Sequence, residues 1–316
     1  MNLKQKILLE LLSNPSQSIS GQVLCKKYNV SRTAIWKAIQ SLKQDGYAIE
    51  AVPHAGYHLI QDIDKLDAAR IQFYLPHVPV LVFDSIDSTN NYAKRLLMEN
   101  DVQEGTLIVV NQQTAGRGRQ GHSFYSPADT GLYLSIILKP YAFAQKILKV
   151  TLAAAVATCE AIEEMTSISC QIKWVNDLFV GQQKVCGILT EATANFETQQ
   201  IESIIIGIGI NCKPMTFPED ITPIAGSLNM DQIDRNHLSA LIWTHFMKWV
   251  QHLDDQKLIE SYRSRSLLIG KTITYRWQNK IHTGTVIDIN EDGQLVVQTN
   301  DQIQVLRSGE VTIQKW

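Results

Sequence analysis

The 316-residue sequence has no CxxC pair and no cysteine–histidine spacing suited to a metal. Its five cysteines, Cys25, Cys159, Cys170, Cys186 and Cys212, lie far apart. That scatter excludes a disulfide framework or zinc module and points to a reducing cytoplasm. The thiols read as small buried hydrophobes, and no metal-ligand set is expected. No run reaches the roughly 18 apolar residues of a spanning helix, so no membrane partner is expected. The longest candidate, LAAAVATC (152–159), reads as a core helix. The opening MNLKQKILLELL scatters charges through its apolar residues, unlike a signal peptide. There is no GxxxxGK(S/T) phosphate loop, no internal repeat and no low-complexity segment.

Charge of one sign is also scarce overall, at a formal net −2, but it is unevenly spread. Residues 1–60 carry seven Lys/Arg against three Asp/Glu. A basic head on an acidic body suggests nucleic acid as the head's partner. In that head Leu3, Ile7, Leu8, Leu11 and Leu12 mark one helical face, ended by Asn14-Pro15. Ser20 caps a second helix, closed at Asn29. Ser31 caps a third, which Gly46 stops. The third helix turns Ile35, Ile39 and Leu42 inward and Arg32, Thr33, Trp36, Lys37 and Gln40 outward. YAIEAV, PHAG and YHLI then read as a hairpin. Three helices and a hairpin make a winged helix-turn-helix over 1–62, whose outer residues would face a major groove. A head that binds only protein, or only braces the body, stays open.

Residues 63–78 read as a polar linker. From Val80 strands alternate with helices over 79–268: VLVFDS, TLIVVNQQ, GLYLSIILK, CQIKWV, DLFVG, QKVCGILTEA and ESIIIGIGINC as strands. STNNYAKRLLMEN, 144–165, 235–253 and 255–264 read as helices. Tight turns between neighbouring strands imply antiparallel pairs, hence an α+β mixed sheet. Residues 269–316 read as five short strands with turns at QNK, EDG and TND and a break at SGE, a small SH3-like barrel.

Gly116, Gly118 and Gly121 spell GxGxxG, but a dinucleotide site needs a helix directly after it, and here HSFYSPADTG leads to another strand. Arg117 and Arg119 instead offer planar forks for phosphate or carboxylate oxygens, with glycines that let backbone N–H groups approach. On spacing alone the loop reads first as a solvated, glycine-rich turn.

DSTN (87–90), QTAGRGRQG (113–121), KWVND (173–177), KVCGIL (184–189) and GIGIN (207–211) occur together and in this order. In this the chain resembles biotin protein ligases along essentially its whole length. With the winged head it looks like the bifunctional type that also represses biotin synthesis genes. The resemblance implies a central sheet like that of class II aminoacyl-tRNA synthetases. It also implies a two-step reaction using biotin, ATP and Mg2+: biotinyl-5′-AMP forms, then a lysine of the biotin carboxyl carrier protein takes the biotin. Operator DNA and a homodimer formed on adenylate binding are the further partners it implies. Ser88, Thr89, Asn90, Gln113, Gly116, Arg117, Gly118, Arg119, Lys184 and Gly187 would bind biotin. Arg117, Arg119, Phe124, Lys173, Trp174, Asn176, Asn211 and Phe217 would border the adenylate. Lys184, Arg119 and Asp177 would be catalytic, with Asp177 the base for the carrier lysine. Residue by residue, Ser88 also reads as an N-cap, Lys184 as an edge-strand charge and Trp174 as core. The segment 212–225 reads as a surface loop or a cover for adenine. Three positions depart from the family: Val175 for a proline, which would loosen the turn into Asn176, Phe124 for a tryptophan, and Gln120 for an arginine. A lipoate or other acyl ligase, and a sensor without catalysis, are the alternatives.

Overall fold

The computed structural model describes residues 2–14, 17–61, 65–99, 101–139, 146–194, 200–278, 280–300, 302–309 and 311–314. Pro15, residues 62–64, Asn100, residues 144–145, Asn279, Asp301 and Glu310, where expected turns or element ends fall, lie outside the described residues. The chain divides into two compact units: residues 1–77 with 235–237, and residues 78–234 with 238–316.

In the first unit, α1 (Leu3–Ser13) opens with a reciprocal cap. Asn2 accepts from the Gln5 N–H and the Gln5 side chain accepts from the Asn2 N–H, both at 2.9 Å. Ser20 caps α2 (Gly21–Tyr28), which ends on Asn29 in the left-handed region at φ 52°. Ser31 caps α3 (Arg32–Gln44) through the Ala34 N–H. Ile7, Leu8, Leu11, Leu24, Ile35, Ile39 and Leu42 form the core between them. The wing is β1 (Ala48–Val52) against β2 (Gly56–Gln61), antiparallel, with Ile19 bridged to Tyr57 as a third short edge. Gly56, at φ +119°, makes that edge possible: a Cβ there would lie 2.1 Å from the Ile19 carbonyl oxygen. Arg32, Thr33, Trp36 and Lys37 are exposed on α3 and Gln40 is half-buried.

The stretch read as a linker contains a helix, α4 (Ala68–Tyr74). The Asp67 carboxylate caps it by accepting from the Ala69 and Arg70 N–H groups. Asn236 accepts from the Asp67 N–H at 2.8 Å and donates to the Lys65 carbonyl at 2.9 Å.

The second unit is built on seven strands: β3 (Val80–Ile86), β4 (Leu107–Gln113), β5 (Gly131–Leu138), β6 (Gln171–Lys173), β7 (Asp177–Val180), β8 (Gln183–Ala194) and β9 (Ile201–Asn211). Their order is β3-β4-β5-β9-β8-β7-β6, with β3 and β4 parallel and every other pair antiparallel. The mixed sheet expected from the sequence is therefore present. Alternation splits its two faces. Ile205 of β9, with Ile108 and Ile137, packs under α5 (Thr89–Glu99). Thr190 of β8 points the other way and hydrogen-bonds Thr151 of α6 (Ile147–Thr166) at 2.8 Å. Residues 152–157 of α6 are fully buried, and each large apolar side chain there contributes about 1.5–3 kcal/mol. Helices α7 (Arg235–Val250) and α8 (Gln256–Ser264) follow.

The tail forms β10 (Thr272–Trp277), β11 (Lys280–Ile289), β12 (Leu295–Gln298), β13 (Ile303–Leu306) and β14 (Val311–Ile313). They make an antiparallel sheet of order β13-β12-β11-β10-β14, the five strands expected of an SH3-like tail. The tail belongs to the same compact unit as the central sheet. Trp174 donates its Nε1–H to the Gly293 carbonyl at 2.9 Å, and Arg263 donates to the Ile289 carbonyl at 2.6 Å.

Candidate active site

On the α5 face a cavity of about 260 Å³ opens over a glycine-rich stretch of the sheet. Its floor is a strip of glycines on neighbouring strands: Gly187 pairs with Gly209, and Gly207 pairs with Leu189. A Cβ on Gly209 would lie 2.5 Å from the Phe124 ring, and one on Gly207 would lie 2.3 Å from Asn90 Oδ1. The strip thus lets a ring and an amide rest directly on the backbone.

Lys184 reaches this face through a bulge. Leu178 pairs with Cys186 but Phe179 pairs with Lys184, so Val185 is an extra residue. Without the bulge, the odd spacing would put Lys184 and Gly187 on opposite faces. The Lys184 backbone donates to the Ile224 carbonyl at 2.7 Å and accepts from the Gly226 N–H at 2.9 Å. The residue therefore lies between β7 and the end of segment 212–225, not on a bare edge. Its Nζ lies 2.7 Å from Asp177 Oδ1.

The arginine loop is a small hairpin. Arg117 bridges Ser123, the Phe124 N–H donates to the Gly116 carbonyl, and the Gly118 N–H donates to the His122 carbonyl at 2.7 Å. Gln120, at φ 54°, and Gly121, at φ +83°, form its tip. Gly116 has no room for a Cβ, which would lie 2.3 Å from the Phe124 carbonyl oxygen, so its role is hairpin closure. Arg119 donates to Asn176 Oδ1 at 2.9 Å. Arg117 donates to Asn91 Oδ1 at 2.9 Å and lies 3.3 Å from Glu191 Oε1.

Several amides are already committed. Asn90 donates to the Leu189 carbonyl and to Glu191 Oε2, and accepts from the Ser135 hydroxyl at 2.6 Å. Asn176 donates to the Ile188 carbonyl and Asp177 Oδ1 and accepts from Arg119. Gln113 Oε1 accepts from the Thr89 N–H at 2.9 Å, and its Nε2 gives one hydrogen to Ser126. That leaves Gln113 one N–H. The turn between β6 and β7 is tied down at both sides. Tyr262 donates its hydroxyl to the Val175 carbonyl at 3.0 Å, and Trp174 is hydrogen-bonded to Gly293. The looseness expected from Val175 is not what this turn shows.

Of the residues singled out in the sequence, Ser88, Thr89, Asn90, Gln113, Arg117, Gly118, Arg119, Phe124, Lys173, Trp174, Asn176, Asp177, Lys184 and Gly187 all line the cavity. Gly116, Asn211 and Phe217 do not. Asn211 Nδ2 donates to the Gly226 carbonyl, and its buried Oδ1 has no hydrogen-bond partner among the described residues. Phe217 meets Tyr125 edge-on at 6.5 Å. The sequence reading missed Glu191, Asn91 and Ser126, and also Gly309, Val311 and Thr312 of the tail, which join the lining. The strand parity of Gly187, Leu189 and Glu191 could have found Glu191. Nothing local marks the tail residues.

Arg95 donates to both Asp87 carboxylate oxygens, at 2.7 and 2.9 Å, and holds that carboxyl well below the ordinary range against the opposing effect of burial. Asn91 and the Ser88 N–H add to it. A depressed acid contributes stability above its unfolded pKa, here near 3.8, and loses it as pH falls further. Arg95→Met should therefore melt lower than the native protein at neutral pH. The gap should close on acidification below about pH 4, read by circular dichroism melts across pH. A gap that widens in acid contradicts this role. Burial pushes the Cys159 and Cys186 thiols up, so both stay protonated and inert at neutral pH.

Fold and motif order together place the chain among ligases of the biotin/lipoate class. Family models match in the same sense: an HTH domain over residues 4–58, the Biotin/lipoate A/B protein ligase family over 82–211, and the Biotin protein ligase C terminal domain over 268–313. The chain is 35% identical to the Bifunctional ligase/repressor BirA of Bacillus subtilis (strain 168), covering 98% of each chain. It is 29% identical to that of Escherichia coli (strain K12), covering 97% of this chain and 96% of the other. Its fold matches the biotin protein ligase from Aquifex aeolicus in complex with biotin and ATP, with a TM-score of 0.64 and 28% identity, over 75% of this chain and 99% of that one. The chain belongs to the family of bifunctional biotin protein ligases and repressors.

Proposed function

We propose that this protein is an ATP-dependent biotin protein ligase and a repressor of biotin synthesis genes. The observation that carries the ligase is the Lys184–Asp177 pair beside a glycine-floored cavity roofed by Arg117 and Arg119. In the first step a biotin carboxylate oxygen attacks the α-phosphorus of ATP and the bond to the β-phosphate breaks. Biotinyl-5′-AMP and pyrophosphate result. Arg117 guides the carboxylate, Arg119 the phosphate, and the Lys184 ammonium offsets charge that grows on the α-phosphate oxygens. Ser88, Thr89 and the spare N–H of Gln113 serve the ureido ring. Asn90 holds the floor beneath it.

In the second step a lysine of the biotin carboxyl carrier protein attacks the activated carbonyl, forms the amide and expels AMP. A lysine is protonated at its ordinary pKa near 10.4, so a base must take its proton. Lys184 and Asn176 occupy Asp177 Oδ1, which leaves Oδ2 for the incoming amine. Magnesium would enter with the triphosphate. Among the described residues no three His, Cys, Asp or Glu side chains gather as a metal site, and Mg2+ commonly combines one or two carboxylates with phosphate oxygens. Asp177 is the carboxylate of the lining, and the ion would neutralise phosphate charge there.

The exposed Arg32, Thr33, Trp36 and Lys37 of α3 support operator binding. One small head per chain supports a homodimer assembled when the adenylate forms, since specific sites normally pair two half-sites. The use of ATP and of a carrier protein supports a cytoplasmic reading. No helix among the described residues is long and apolar enough to cross a membrane.

The test is mass spectrometry of a purified carrier domain incubated with the protein, MgATP and either biotin or lipoate. A mass gain with biotin alone is expected. A gain only with lipoate rejects the reading. Gel shifts with biotin and ATP present should show preference for the promoter of the biotin genes, and none would remove the repressor role.

A further inference from the structure

One half-buried carboxylate beside the cavity has no part in the chemistry above. Glu191, on β8, is 16% exposed at its side chain and meets three groups. Its Oε1 takes the Lys94 ammonium at 2.7 Å and faces Arg117 at 3.3 Å, while Oε2 accepts from Asn90 at 2.9 Å. It therefore ties helix α5, through Lys94 and Asn90, to the arginine hairpin, through Arg117.

We propose that Glu191 is a positioning residue of the ligase, which aims Arg117 at the carboxylate of the acid substrate and fixes the Asn90 amide against the glycine floor. This rests on the reading of Arg117 as the carboxylate's guide. The Arg117 side chain is 43% exposed and belongs to a hairpin, so without tethers it would lose rotamer freedom on binding. Asn91 holds Nη1 and Glu191 holds Nη2, which leaves the other guanidinium hydrogens for the ligand. Lys94 shares the Glu191 charge, so Arg117 meets a carboxylate already partly neutralised and is oriented without being captured. Burial opposes ionisation of Glu191, but hydrogen bonds from Lys94 and Asn90 and the charges of Lys94 and Arg117 hold its carboxyl below the ordinary value. It is therefore an anion at neutral pH.

The experiment is calorimetric titration of the full chain with biotin and with biotinamide, its neutral analogue, for the native protein, R117Q, E191Q and the double variant. The readout is the acid-to-amide preference. A residue that merely supports the fold would weaken both ligands alike. E191Q is expected to shrink the preference about five- to tenfold, and to change it less than about twofold when Arg117 is already glutamine. Equal weakening of both ligands by E191Q, or an undiminished effect of E191Q in the R117Q background, overturns the proposal. If R117Q leaves the preference intact, the guide role of Arg117 itself fails, and positioning through it fails too. Should E191Q not fold, E191D, which keeps the charge but draws it back from Arg117, is expected to shrink the preference less but in the same direction. An unchanged preference in E191D counts against the proposal.

Discussion

Replacing Lys184 by methionine lowers the rate of adenylate formation by about 10²–10³-fold and leaves the protein folded. The magnitude is that of losing one preorganised donor to developing charge, about 2.7–4 kcal/mol. The fold persists because the strand is held through the Lys184 backbone, by the Ile224 carbonyl and the Gly226 N–H, and not through its side chain. Methionine keeps most of the stem and removes the ammonium. One side effect must be separated: Asp177, 22% exposed at its side chain, is left without its cation. The double variant Lys184→Met with Asp177→Asn removes that unpaired charge and is expected to be no faster than Lys184→Met in the first step; recovery toward the native rate would assign the loss to the stranded carboxylate. Pyrophosphate release at saturating biotin and MgATP measures the step, with melting curves alongside. Release at the native rate would end the assignment of Lys184.

Gly209→Val is expected to weaken biotin binding by roughly 100-fold or more, on the overpacking scale of about 1–3 kcal/mol with the lost floor added. A Cβ at this position already lies 2.5 Å from Phe124 Cε1 and 2.8 Å from Cζ. A ring at the end of a flexible side chain can step aside for one carbon. The two further methyls of valine then occupy the strip itself. The partner across the strip, Gly187, leaves its own Cβ direction 3.1 Å from the same ring, so the ring has little room to retreat that way. Titration with biotin gives the affinity. An unchanged affinity would mean that the ligand does not lie on the glycine floor.

The helical head and the mixed sheet were legible because their signals are local. Ser20, Ser31 and Asn29 mark helix ends by their own hydrogen bonding and φ preference, and the apolar periods of α1 and α3 fix the buried face. Helix α4 was not legible: its seven residues are too few to show a period, and the Asp67 cap is the only local sign. In the cavity, the residues of the quoted motifs were mostly found, but their geometry was not. The face on which Lys184 lies depends on the extra residue Val185, and a bulge is set by pairing with β7 rather than by the strand's own sequence. Asn90 and Asn176 looked like ligand-reading amides, whereas their donors and acceptors are spent on Glu191, Ser135, Arg119 and nearby carbonyls. Polar satisfaction of this kind is a property of the folded neighbourhood and has no sequence pattern.

The contribution of Gly309, Val311 and Thr312 to the cavity wall bears on when the enzyme comes into being. A ribosome delivers the glycine strip about a hundred residues before it delivers β14, and the Trp174 indole waits as long for the Gly293 carbonyl. A nascent chain can therefore build the sheet early, yet its pocket lacks one side until the tail has emerged and docked. Competence for catalysis comes only once this tail has been made and has docked, well after most of the apolar interior has been sequestered.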